Sequence, residues 1–240
     1  MFDHVTIRAS DRAASMRFYD TVLAVVGLER NRGEDYSEWG DFSLAQAEGA
    51  KPATRRLHIA FVAPSREVVD RFWRVGTDAG YESDGEPGDR PQYSEDYYGS
   101  FLLDPDGNSV EAVHHGDVAQ RGSIDHVWLR VADVAASTAF YETIAPYARL
   151  RVKPRTADRT QLTGKTGSFS VVTGTPTENV HIAFPADSND LVDAFHRAAV
   201  EAGYHDNGAP GERLEYHRGY YGAFVLDPDG NNIEVVNHNR

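Results

Sequence analysis

The sequence has no cysteine among its 240 residues. That excludes disulfide staples, thiolate metal sites and a cysteine nucleophile, and leaves any metal to imidazole and oxygen ligands. No apolar run approaches the ~20 residues needed to cross a bilayer as a helix. The opening MFDHVTIR reads as a strand rather than as a basic and then apolar leader, so the expected location is the cytoplasm. Positive charge is scarce, with 24 Lys and Arg against 37 Asp and Glu and a net charge of −13. Such a field repels nucleic acid and anionic membranes and argues against a polyanionic partner. Low-complexity tracts are missing too. A hydrophobic content of 40% with 25% charged residues describes an ordinary globular chain, long enough for one large domain or two small ones.

What the sequence does contain is itself, twice. Asp3-His4-Val5 through Phe18-Tyr19 returns as Asp125-His126-Val127 through Phe140-Tyr141, 122 residues on. Leu57-His58-Ile59-Ala60-Phe61 returns as Val180-His181-Ile182-Ala183-Phe184, 123 residues on. Tyr97-Tyr98-Gly99 through Asp104-Pro105-Asp106-Gly107-Asn108 returns at Tyr220 through Asn231, with the same offset of 123. Three separated blocks in register establish a tandem duplication. The expected domains are a first module over 1–116, a linker over 117–123 and a second module over 124–240.

Each copy divides again. His4 to Arg8 alternates polar and apolar side chains as a strand does. A helix is expected from Asp11 as N-cap, with Met16, Tyr19, Val22, Leu23 and Val26 at helical spacing and Gly27 at its end. Strand-like runs follow, through Trp39 to Gln46. The plan repeats with a strand from Leu57 to Val62, a helix bearing Val68, Val69, Phe72 and Trp73, and strands reaching Val113. Asp104 to Asn108 supplies the turn between the last two strands, because Pro fixes φ and Gly accepts positive φ. The reading is α+β, with βαβββ occurring four times.

The DHV opening of each copy and the F-x-L-D-P-D-G-N-x-x-E ending resemble the vicinal oxygen chelate superfamily, which includes glyoxalase I, extradiol dioxygenases, fosfomycin-resistance thiol transferases and bleomycin-binding proteins. The resemblance covers essentially the whole chain. It implies two tandem modules, each of paired βαβββ units forming an open cupped mixed sheet with helices outside. It also implies a divalent metal inside each cup, held at positions filled here by His4, His58 and Glu111, and by His126, His181 and Glu234. Glyoxalase-like relatives use a further carboxylate near the end of the first half-module. Gln46 and Thr173 stand there, which counts against glyoxalase I itself.

The residues support the same reading unaided. A single strand histidine is ordinarily a satisfied core or surface residue, but His, His and Glu are retained at matching places in both copies. Two imidazoles and a carboxylate leave open positions on Fe, Mn, Ni or Zn, an arrangement suited to catalysis. Arg8 and Arg130 share strand parity with His4 and His126 and are candidate substrate-binding residues. Tyr93, Tyr97 and Tyr98 recur as Tyr216, Tyr220 and Tyr221; Tyr98 and Tyr221 are the candidate hydrogen-bond donors to a reacting oxygen. His217, opposite Ser94 in the first copy, is a candidate acid-base group and marks the second copy as the more active. His114, His115, His196, His205 and His238 read as surface or strand-end residues. The expected function is a metal-dependent glyoxalase or dioxygenase-type enzyme acting on a small oxygen-bearing substrate, as a monomer or homodimer. The alternative is a metal-free sequestration protein resembling bleomycin-resistance proteins. Whether each triad forms within one copy, or His4 joins His181 and Glu234 while His126 joins His58 and Glu111, is open at this level.

Overall fold

The computed structural model describes residues 1–32, 37–116 and 122–239; residues 117–121 of the expected linker lie outside the described residues. The four half-modules follow one plan. The first runs β1 (His4–Ala9), α1 (Arg12–Leu23), β2 (Asn31–Arg32), β3 (Ser37–Trp39) and β4 (Phe42–Gln46). The second runs β5 (His58–Val62), α2 (Arg66–Asp78), β6 (Ser83–Asp89), β7 (Tyr98–Leu103) and β8 (Ser109–His114). The third comprises β9 (Ile124–Val131), α3 (Val134–Ile144), β10 (Arg151–Val152), β11 (Arg159–Thr163) and β12 (Ser168–Thr173). The fourth comprises β13 (His181–Pro185), α4 (Asn189–Glu201), β14 (Asp206–Glu212), β15 (Tyr221–Leu226) and β16 (Asn232–Asn237).

Local chemistry sets the helix boundaries. Asp11, Ser65, Asp133 and Ser188 each turn a side-chain oxygen onto a first-turn backbone N–H of the helix that follows, satisfying donors that have no intrahelical partner. Gly27, at φ 87°, takes the left-handed conformation that ends the first helical segment, as its position in the sequence suggests. The expected apolar face of α2 is confirmed at Val69 and Phe72, which are fully buried. At Gly76 on the same face, an added Cβ would meet the end of the Leu102 side chain of β7 and oblige it to shift, so the glycine lets helix and sheet pack closely with Leu102 in place.

Among the described residues the strands form two mixed eight-stranded sheets, ordered β14-β15-β16-β13-β1-β4-β3-β2 and β10-β11-β12-β9-β5-β8-β7-β6. β5 pairs parallel with β8, and β13 with β16. The chain resolves into two compact units. Unit I is Thr6–Trp128; unit II is Met1–Val5 together with Leu129–Arg240. Strands β1 and β9 therefore each begin in one unit and finish in the other.

Unit I has a core of fully buried aromatics, among them Phe18, Tyr19, Trp39, Phe42, Phe61 and Phe72. Each such side chain contributes roughly 1.5–3 kcal/mol by leaving water. The Asp104–Asn108 turn is locked into this core. Tyr19 donates its hydroxyl to Asp104 at 2.8 Å, while the backbone N–H groups of Asp106 and Asn108 donate to the other oxygen of that carboxylate, each at 2.9 Å. Asn108 in turn accepts from the Leu57 N–H at 3.0 Å and fixes where β5 begins relative to β8. Unit II repeats these contacts with Phe140, Tyr141, Phe169, Phe184 and Phe195 buried and Tyr141 directed at Asp227. The first five residues dock within unit II. The Asp3 N–H donates to the Ala183 carbonyl at 2.9 Å, Phe2 packs on Phe184, and the terminal ammonium donates to Thr166.

Candidate metal centres

Strand register brings each triad together. In unit I, β5 pairs His58 with Ser109 and Ala60 with Glu111 on β8, and it pairs Ala60 with His126 on β9. Residues two apart on a strand share a face. His58, His126 and Glu111 therefore project from the same side of three adjacent strands, with the small side chain of Ala60 between His126 and Glu111. In unit II, β13 pairs His181 with Asn232 and Ala183 with Glu234 on β16, and His4 comes from the docked N-terminal segment. The candidate ligand sets are thus His58, Glu111 and His126, and His4, His181 and Glu234, with one donor atom from each residue lying within 4.8 Å of the others. The question left open by the sequence is settled: each set takes one histidine from the other copy.

All four imidazoles turn Nε2 into their cluster. His4 Nε2 lies 3.0 Å from His181 Nε2, and His58 Nε2 lies 3.2 Å from His126 Nε2. Glu234 Oε2 is 3.0 Å from His181 and 3.7 Å from His4; Glu111 Oε2 is 3.1 Å from His58 and 3.4 Å from His126. The Nδ1 atoms face outward to Asp3, Asp125, Ser109 and Asn232. Where Nδ1–H is donated outward, as to Asp3 and Asp125, the Nε2 lone pair is aimed at the carboxylate and the partner imidazole, an arrangement that a cation relieves; at His181 the Asn232 amide N–H donates to Nδ1 instead. Ligand bonds of ~2.0–2.1 Å at angles between octahedral and tetrahedral place donor atoms ~3 Å apart. The observed spacings fit a divalent metal.

Both carboxylates are only 1% exposed. Burial would raise the Glu111 pKa, but hydrogen bonds from His126 and His58 outweigh it and bring the group down to about 2. Burial would lower that of His126; Asp125 and then Glu111 outweigh it and push the imidazole up to about 9. The free oxygen of each glutamate is also held. Tyr97 donates its hydroxyl to Glu111 Oε1 at 2.7 Å, and Tyr220 donates to Glu234 Oε1 at 2.7 Å. Gly99 and Gly222 make room for these carboxylates, since a Cβ at either position would overlap Oε1 of the glutamate.

The remaining candidates from the sequence lie as follows. Tyr98 and Tyr221 donate their hydroxyls to Asp70 of α2 and Asp193 of α4, so the tyrosine that meets each triad is its neighbour, Tyr97 or Tyr220. His217 lies 2.8 Å from His238 through Nε2···Nδ1. Arg8 belongs to the part of β1 in unit I and Arg130 to the part of β9 in unit II, whereas His4 and His126 on the same strands belong to the other unit in each case. Gln46 donates to the carbonyls of Ala9, Ser10 and Ala47 and accepts from the Arg12 N–H, a set of backbone contacts that anchors the end of β4. Thr173 is exposed. Two histidines read as strand-end residues join the surroundings of the sites: His115 lies 2.8 Å from Asp125, and His238 lies 2.8 Å from Asp3. Their offset of 123 residues was the available signal. Trp128 packs its ring on His58 and His126 with centroids 5.5 and 5.9 Å away. At the equivalent place two residues beyond His4 the first copy has Thr6.

The family model described as the Glyoxalase/Bleomycin resistance protein/Dioxygenase superfamily matches residues 1–112 and again 123–235. Among solved structures, the fold is similar to glyoxalase I from Zea mays, with a TM-score of 0.71 and 19% identity over 99% of this chain and 92% of that one. It is also similar to a candidate dioxygenase from Bacillus subtilis, with a TM-score of 0.65 and 14% identity over 100% of this chain and 85% of that one. At these identities the likeness is one of fold. Comparison with curated proteins finds no match.

Proposed function

The chain belongs to the glyoxalase/bleomycin resistance protein/dioxygenase superfamily, and on that footing we propose that it is a metal-dependent enzyme with two centres, each binding a divalent ion through His, His and Glu and acting on a small oxygen-bearing substrate. The observation that carries this reading is the convergence of three donor atoms in each of two independent sets, with every imidazole presenting the same nitrogen. A bound divalent ion would supply Lewis acidity toward adjacent substrate oxygens. Around it the chain's own groups have separable tasks. Glu111 and Glu234 bring the only negative charge of their triads, and because both are buried, that charge is felt at low dielectric. Tyr97 and Tyr220 occupy one glutamate oxygen each and leave Oε2 for the ligand position. In unit I the Trp128 ring shields His58 and His126 on one side, which limits water at that centre and gives a flat apolar surface beside it.

Support for a resident metal over a metal-free binding cleft comes from the buried glutamates. A protein that only sequestered an organic ligand has no chemical need for two imidazoles converging on each of them. The test is elemental analysis of purified protein. Two metal equivalents per chain are expected, falling to none when His58 and His181 are both replaced by Ala. A wild type without metal affinity would overturn the reading in favour of sequestration. Oxygen uptake with catechols, compared with isomerisation of a hemithioacetal, then separates dioxygenase from glyoxalase chemistry.

A further inference from the structure

We propose that Asp3 and Asp125 are positioning residues that set which nitrogen of His4 and His126 faces the metal, a role that rests on the metal-binding reading above. Asp125 Oδ1 lies 2.8 Å from His126 Nδ1, and Asp3 Oδ1 lies 2.9 Å from His4 Nδ1. A carboxylate accepts only, so each contact fixes a proton on Nδ1 and leaves the Nε2 lone pair directed into the cluster.

The backbone is shaped to make this contact. Neighbouring residues on a regular strand point to opposite faces, so an Asp-His pair should separate its side chains. In β9 the pairing with β5 steps from Ala60↔His126 to Phe61↔Ile124, skipping Asp125. Asp125 is the extra residue of a β-bulge, the device that re-aims a side chain beside a functional site. In the other copy Asp3 lies just ahead of β1, where regular alternation has not begun.

A second partner holds each aspartate in turn. Asp125 Oδ2 receives His115 Nε2 at 2.8 Å, and Asp3 Oδ2 receives His238 Nε2 at 2.8 Å. His126 and His4 thus each stand at the head of a His, Asp, His series that recurs in both copies. In unit II the series gains a member, since His238 Nδ1 meets His217 Nε2 at 2.8 Å; in unit I, His115 instead stacks its ring on Tyr97, with planes 7° apart. The two outer arrangements differ while the contact between aspartate and ligand histidine is the same, which identifies that contact as the common functional element. Such an outer carboxylate orients a ligand imidazole and raises its basicity, and its loss typically weakens metal binding by roughly 10- to 100-fold.

The test is titration of metal-free protein with Co(II), followed by its ligand-field absorption and by calorimetry, for wild type, Asp125→Asn, Asp3→Asn and the double variant. Asn keeps an acceptor oxygen and the shape of Asp but removes the charge. The expected result is two tight equivalents in wild type, one of them weakened by roughly 10- to 100-fold in each single variant and both in the double, with an altered absorption band at the affected centre. A lower melting temperature with Co(II) affinity unchanged would mean that the aspartates only hold the fold, and would overturn the proposal. Should a variant fail to fold, nitrogen-15 spectra of histidine in the Zn(II)-loaded wild type decide the same point: a proton on Nδ1 of His4 and His126 supports the assignment, and a proton on Nε2 refutes it. Absence of Co(II) binding in the wild type would instead remove the metal reading itself.

Discussion

Replacing Tyr97 with Phe isolates a single hydrogen bond at a buried charge. The hydroxyl lost donates to Glu111 Oε1 at 2.7 Å, and the glutamate is 1% exposed, so water cannot replace the donor. The ring remains and keeps its apolar contacts with Ala60 and Val113, so no cavity term arises. A hydrogen bond to a charged group contributes ~1.5–3 kcal/mol, and a shift of ~2–4 °C per kcal/mol for a chain of this size puts the fall in melting temperature at roughly 3–12 °C. The neighbouring Tyr98 is the internal control. Its hydroxyl donates to Asp70 at 2.7 Å, but at the surface, where water takes over when the hydroxyl is removed. Tyr98→Phe should therefore cost less than about 1 kcal/mol. Thermal unfolding of the metal-free proteins, followed by near-ultraviolet circular dichroism at pH 6, gives the comparison. Equal losses for the two variants, or a Tyr97→Phe variant as stable as wild type, would refute the assignment of Tyr97 as the residue that holds Glu111.

A methyl group at Gly99 overlaps Glu111 Oε1, so Gly99→Ala should cost ~1–3 kcal/mol by overpacking and abolish one metal equivalent while sparing the other; two intact equivalents by elemental analysis would contradict this. The metal-free protein should also show a pH optimum of stability set by the Glu111 and His126 pair. His126, raised from 6.5 to about 9, contributes fully below pH 6.5 and loses that contribution as pH rises to about 9. Glu111, lowered from 4.5 to about 2, contributes above pH 4.5 and loses it as pH falls toward 2. Melting temperatures should thus decline on both sides of the interval from about 4.5 to 6.5, and the alkaline decline should be blunted in Glu111→Gln; identical alkaline profiles would disprove the coupling. Finally, Tyr19→Phe should destabilise by ~1–3 kcal/mol, and more than Tyr141→Phe, because the bond to Asp104 is 2.8 Å long and that to Asp227 is 3.3 Å; denaturant titration checks the ranking.

The amino-acid sequence by itself determined the duplication, the four βαβββ half-modules and the cap of the first helix, and it named the six candidate triad residues. These are carried by local pattern: alternation at His4 to Arg8, the Asp11 cap, the Asp104 to Asn108 turn, and recurrence of the same residue types at offsets of 122 and 123. The edge strands β6 and β14 were harder to read, since Ser83–Asp89 and Asp206–Glu212 are rich in glycine, proline and acids, and their bulged pairing with β7 and β15 arises from the sheet they border. Only the tertiary structure decided which three residues share a centre, because pairing between strands more than fifty residues apart leaves no trace in local periodicity. It also decided that Tyr97, not Tyr98, meets Glu111, and that Asp125 sits on the same side as His126. Both facts turn on one-residue differences in register, and a strand's side chains change faces with every such step.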